Sequence, residues 1–230
     1  MNRRYNRKPP RQYGIELIIL IFGITVSFFL NEWRESIQHK HVEQQTLLTI
    51  QENLSADTLM LGQQVKVFNL FIYRLKKLLD EDKSTYSDSL DVYLDAFISY
   101  GAFFETTVGY NEMTQTGSSQ HIRDRDLLQS TIRYYTQSLQ FLKEWAEIDK
   151  KFVLERSIPY FETNLPYAPW GKYRELYEKK STRLKKALNE DEFKNMVREN
   201  ILFKQASRHS FKLSKKKATE LLHQIEAYRK

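Results

Sequence analysis

Cysteine is absent from all 230 residues, which excludes disulfides, thiolate metal sites and a cysteine nucleophile. The absence is silent on compartment, because a helical core of this size needs no covalent staple. Glycine and proline are also scarce, 7 and 5 residues against usual shares of roughly 7% and 5%. Glu, Lys, Leu and Gln fill their place, the composition of a mostly helical protein. No stretch alternates with period two, so no sheet is expected, and neither an internal repeat nor a low-complexity tract is found. Metalloprotease HExxH, Walker A, GxSxG and dinucleotide-binding glycine motifs are all missing. The expectation is therefore a non-enzyme with no cofactor and no metal.

The net charge of +7 invites a nucleic-acid reading, but its distribution argues against one. Arg3, Arg4, Arg7, Lys8 and Arg11 supply five positive charges in the first thirteen residues with no acid among them, leaving +2 for the remainder. Immediately afterwards residues 14–30 read GIELIILIFGITVSFFL, with Glu16 as the single charge. Tyr13 and Trp33 bracket the run. That interval is about 30 Å of helix, the thickness of a bilayer core with aromatic belts at both faces. A cleaved signal peptide is the competing reading, but the residues after the core, SFFLNEWRE, are bulky and then charged, with no small-x-small cleavage site.

Three segments follow: a basic cytoplasmic tail over residues 1–12, a transmembrane helix over 13–33, and an extracytoplasmic helical domain over 34–230. The five leading cations set the orientation, since the positively charged flank stays in the cytoplasm. A tail of about a dozen residues is too short to hold a signalling domain.

Beyond the span no Gly or Pro occurs before Gly62, so the helix is expected to continue. Steps of four and three from Trp33 trace a heptad-like stripe, dense from Leu47 through Leu54, Leu61, Val65, Phe68, Ile72 and Leu75. Residues 80–89 predict a turn, then a helix with Leu90, Tyr93, Leu94, Phe97 and Ile98 inward. A helix over 124–156 presents Leu127, Leu128, Ile132, Tyr135, Leu139, Leu142, Ala146 and Phe152, and Pro159, Pro166 and Pro169 interrupt it. Residues 172–188 and 191–229 predict two further helices. The fold class is all-α: a single N-terminal transmembrane helix continuing into a long helix and an up-and-down helical bundle.

The block IELIILIFGITVSFFLNEWRE resembles the signature of a domain-of-unknown-function family of bacterial single-span membrane proteins. In that family a Gly-Glu pair opens the span, a glycine follows seven residues after the Glu, and an Asn-x-Trp-x-Glu box closes it. Glu16, Gly23, Asn31, Trp33 and Glu35 fall on those places. Ile15 stands where the family's glycine is usual, with Gly14 one position earlier. A second block matches through Tyr110, Glu112, Met113, Gly117, Ile122, Asp126, Leu127, Tyr134 and Tyr135. The resemblance implies an inner-membrane protein of a Gram-negative-type cell and brings no known activity.

Individual residues add little chemistry. Glu16 lies three residues from Tyr13, close enough for its carboxylate to reach the headgroups, so snorkelling competes with a contact to a multi-span partner. His39 and His41 point about 200° apart on a helix and cannot share a metal, while His121, His209 and His223 are isolated in sequence. Two surfaces are candidate interaction sites: the proline-aromatic segment with Tyr160, Phe161, Tyr167 and Trp170, and the basic stripe over residues 204–217 with Lys212, Lys215, Lys216 and Lys217. Each has a bland alternative, a packed interhelical connection and a solvated helix face. The expected role is a scaffold or interaction protein whose partners are membrane lipid and either a second copy or an envelope protein. The runner-up is an accessory subunit of an envelope transport or energy-coupling complex contacted through Glu16.

Overall fold

The structure, a computed structural model, describes residues 10–80, 86–166, 172–179 and 181–229, without the side chains of 10–13, 86–88 and 174. The described residues are mostly helical with no strand, as the composition and periodicity anticipated. Helix α1 runs unbroken over Pro10–Leu79, 70 residues. Nothing between Gly23 and Gly62 breaks it, and Lys76 and Lys77 in its last turn complement the negative end of the helix dipole. From residue 14 to residue 41 the residues of α1 are all exposed. It is the one described helix long and apolar enough to cross a membrane. A patch holding Leu17, Ile18, Ile19, Leu20, Ile21, Phe22, Phe28 and Phe29 on a single helix far exceeds what a soluble monomer leaves to water.

From Glu43 onward α1 becomes the spine of a bundle. After α1 the chain returns toward the apolar start of that helix in a broken descent. Its pieces are α2 (Tyr86–Ile98), residues 99–107 without helix, α3 (Val108–Gln115) and a 3-10 turn (Ser118–His121), the last reached through Gly117 at φ 72. Its register against α1 falls steadily: Gly101 meets Phe68, the Thr106 amide donates to Asp57, Gly109 abuts Thr49 and Ile50, and the Arg123 amide donates to Glu43. The ascent then follows as one rod. Asp124 caps α4 (Arg125–Arg133) by accepting from the Asp126 and Leu127 amides, both at 3.0 Å. A π-turn (Tyr134–Ser138), α5 (Leu139–Phe152), a second π-turn (Val153–Ser157) and α6 (Ile158–Asn164) continue it. Short helices α7 (Tyr173–Glu178) and α8 (Thr182–Asn189) cross the far end. Helix α9 (Asp191–Arg229) descends antiparallel to α1, with Arg208 on Asn69, Lys215 over Gly62 and Tyr228 on Glu43.

The α1 stripe is the core. Leu47, Leu54, Leu61, Phe68 and Leu75 are all completely buried, covered by the chain's own later helices. Phe68 sits 5.2 Å from the Phe211 ring and 6.3 Å from Phe71, and Phe97 lies 5.1 Å from Phe193. Each such buried side chain contributes about 1.5–3 kcal/mol.

Three expectations need correction. Pro159 does not interrupt the ascent: the preceding π-turn resets the helix so that Pro159 falls in the first turn of α6, where its missing N–H costs nothing. Ile132 is 37% exposed, whereas consecutive Tyr134 and Tyr135 are both buried, because the widened turn starting at Tyr134 brings neighbouring residues to one face. The helix over 172–188 is split, Ser181 accepting from the Leu184 amide to start α8 afresh.

Candidate functional site

The break in the descent is where the bundle concentrates its polar groups. Residues 99–107 are not helical, so their main-chain amides and carbonyls need partners from elsewhere. Three buried side chains, Lys204, Asp149 and Asp57, supply them, and a fourth, Asn200, meets the last turn of α2 just before the break. Asn200 Nδ2 donates to the Phe97 carbonyl at 2.9 Å and to Ser157 Oγ at 3.3 Å. Lys204 Nζ donates to the Ser99 carbonyl at 2.8 Å. Asp149 accepts from the Gly101 amide at 3.5 Å. Asp57 accepts from the Thr106 amide at 3.0 Å and from the Tyr134 hydroxyl at 3.1 Å.

The two π-turns serve this arrangement. Their closing bonds run from Leu139 N to the Tyr134 carbonyl and from Ile158 N to the Val153 carbonyl, five residues apart. One places Tyr134 against Asp57 at the lower end of the break, and the other places Ser157 against Asn200 at its upper end.

Between them Lys204 and Asp149 form an ion pair at 2.9 Å with both side chains at 0% exposure. Lys204 Nζ also lies 5.2 Å from the Phe71 ring centroid. Burial pushes the Asp149 carboxyl up and the Lys204 amine down, while each partner's charge pulls the other back toward ionisation. Burial likewise raises Asp57, opposed by the bonds from Thr106 and Tyr134, and raises the Tyr134 hydroxyl, with the Asp57 charge adding to it.

The outer side of the same break opens into a cleft of ≈ 680 Å³ between the unwound segment and α5. Tyr100, Gly101, Phe104, Lys143, Glu147 and Lys150 line it. Phe104, 76% exposed, stands at its edge, and Lys143 pairs with Glu105 at 2.6 Å. Gly101 joins the two sides: it lines the cleft, its amide meets Asp149, and an added Cβ would collide with the Phe68 ring.

The residues singled out from the sequence fare differently. Arg3, Arg4, Arg7, Lys8, Tyr167 and Trp170 lie outside the described residues, and Arg11 and Tyr13 are described only in their helical backbone. Glu16 and Trp33 are on the exposed apolar part of α1. Asn31 Nδ2 donates to Glu35 Oε1 at 2.9 Å, and Gly23 opens a shallow groove shared with Leu20, Ser27 and Asn31. Tyr160 and Phe161 are spent on the core rather than offered as a surface: Tyr160 is buried on Phe193, its hydroxyl on Glu190 and the Ala187 carbonyl, and Phe161 packs on Tyr173. Lys204 leaves the basic stripe for the interior, whereas Lys212, Lys215, Lys216 and Lys217 are exposed. His121, isolated in sequence, packs against His39 with ring centroids 4.3 Å apart and the rings tilted by 32°. Tyr110, stacked on Tyr135 at 4.5 Å, joins Tyr134 in the lower bundle.

Sequence reasoning missed Asp57, Asp149 and Asn200. Asp149 had a legible signal, an acid at the next inward place after Leu142 and Ala146. Comparison of the chain with family models, with curated proteins and with solved structures gives no match.

Proposed function

We propose that this chain is a non-enzymatic, membrane-anchored interaction protein of the bacterial inner membrane, with a cytoplasmic N-terminus and a helical domain that binds itself or an envelope partner. The observation that carries this reading is the continuity of α1. The same helix that is exposed and apolar over its first third becomes the spine of the bundle, with the stripe of Leu47, Leu54, Leu61, Phe68 and Leu75 fully buried, so the domain is held rigidly at a set height above the bilayer. The five leading cations support the orientation, and the resemblance of residues 14–36 to the bacterial single-span family supports the compartment. The cleft beside the unwound segment offers a shaped surface to a partner.

A second reading, an accessory subunit of a transport or energy-coupling complex, rests on Glu16 within the apolar run. Two measurements test these readings. The chain should stay in the membrane pellet after alkaline carbonate extraction, and a reporter active only outside the cytoplasm should be active when fused after Lys230. Release by carbonate removes the anchor, and activity of a cytoplasm-only reporter reverses the orientation. Glu16→Gln should leave insertion intact; a crosslinked multi-span partner lost in this variant and kept in Glu16→Asp favours the accessory-subunit reading.

A further inference from the structure

Outside the tail the chain has almost balanced charge, yet the bundle does not spread it evenly. Residues 58–79 of α1 contain no Asp or Glu, and neither do residues 200–219 of α9. The antiparallel packing lays these two acid-free stretches side by side. Lys215 reaches across to Gly62, its Nζ 3.1 Å from where a Cβ would stand, and Arg208 bonds Asn69 Oδ1 at 3.0 Å. Lys66 lies between Gly62 and Asn69 on α1, and Lys212 lies between Arg208 and Lys215 on α9. Four cations thus share one seam, and among the described residues none of them has a carboxylate partner. The neighbouring Lys216 and Lys217 do have one, in Glu220. Clustering like charges destabilises the folded chain, so folding alone does not favour this arrangement.

The outer face of α1 along the seam is not purely charged. Leu59, Leu70 and Tyr73 are exposed there at 72%, 44% and 56%, on the same face as Lys66 by helical spacing. Exposed leucines interleaved with lysines suit a polypeptide that carries both carboxylates and apolar side chains, and give nothing to a phosphate polymer. The anchoring bilayer is out of reach. Gly62 is 29 residues beyond Trp33 in the same helix, which is roughly 44 Å against a screening length of about 8–10 Å.

We propose that the α1–α9 seam centred on Lys66, Arg208, Lys212 and Lys215 is a docking surface for an acidic polypeptide segment of another envelope protein. The proposal rests on the anchored, outward-facing reading above and names the chemistry of its partner. Complementary charge at such a seam speeds encounter and selects the partner, and the exposed Leu59, Leu70 and Tyr73 supply the apolar contact that slows release.

The test uses the full chain, in zwitterionic nanodiscs and in detergent, titrated with fluorescein-labelled poly-L-glutamate of about 20 residues, the length of the seam at helical rise. Saturable binding is expected, weakening about tenfold or more between about 50 and about 300 mM salt as the charges are screened. The triple variant Lys66→Gln, Lys212→Gln, Lys215→Gln should weaken it about tenfold, whereas Lys151→Gln, Lys172→Gln, Lys186→Gln, which removes the same charge elsewhere, should change it less than about twofold. A peptide with leucine at every fourth position should bind tighter than polyglutamate. Absence of saturable binding, or equal weakening by both triples, overturns the proposal. So does binding of inorganic polyphosphate or anionic phosphatidylglycerol vesicles as tight as that of the leucine-bearing peptide. Unchanged melting of both variants shows that they fold. Retention in nanodiscs reads the anchor and polyglutamate binding in detergent reads the seam, so the two ideas fail separately.

Discussion

Replacing Lys204 by Met asks what the buried pair contributes. Methionine fills most of the space and keeps a contact to the Phe71 ring, but it leaves Asp149 at 0% exposure with no cation. Rather than bury a bare carboxylate, the folded protein takes up a proton at Asp149. At pH 7, with an unfolded carboxyl near 3.9, that uptake costs about 4 kcal/mol. The Ser99 carbonyl also loses its donor, worth about 1 kcal/mol. The variant should therefore be destabilised by about 5 kcal/mol at pH 7, near the usual result of breaking a buried pair.

The pH dependence carries the argument. In the variant the folded-state pKa of Asp149 lies above its unfolded value, so the folded chain binds more protons and its stability falls as pH rises from about 4. The loss relative to wild type should shrink by about 1.4 kcal/mol per pH unit on acidification, to about 2.5 kcal/mol at pH 5. Adding Asp149→Asn should restore most of the pH 7 loss and abolish its pH dependence, since the new amide oxygen still accepts from Gly101. Urea titrations of the chain in detergent, followed by circular dichroism at the two pH values, read these differences. A loss of equal size at pH 5 and pH 7 would overturn this account, because folded Asp149 would then hold the same protonation state in both chains and the variant would not have taken up the proton.

Gly101→Ala forces a methyl group into the fully buried Phe68 ring and should cost about 1–3 kcal/mol; an unchanged melting temperature would show that the break is free to move. Phe68→Asp loses the central aromatic contact and buries a charge, a combined cost above about 5 kcal/mol, so the bundle should lose its cooperative melt. Asp57 has a raised folded-state pKa, so its contribution is present at acidic pH and lost as pH rises through that value. Asp57→Asn should flatten the stability profile on the alkaline side of pH 4, measured as the difference from wild type, and a profile parallel to wild type would count against the burial argument.

Periodicity carried the sequence reading as far as one-dimensional patterns reach. The hydropathy of residues 14–33 announced an exposed apolar helix long enough to cross a membrane, and the stripe from Leu47 to Leu75 announced both the continuous helix and its burial, because local spacing alone decides which side chains share a helical face. The same logic missed the register changes. Ile132 and Pro159 misled because each π-turn inserts a residue whose only signal is what it meets across the bundle, Asp57 for Tyr134 and Asn200 for Ser157. Lys204 read as one more cation in a solvated stripe, and only the packing of α9 on α5 turned it inward onto Asp149. The acid-free stretches of α1 and α9 were each visible in sequence. That they lie together was decided by the antiparallel return of a chain with 152 residues between Gly62 and Lys215, since charge acts through distance in space and local spacing cannot supply it.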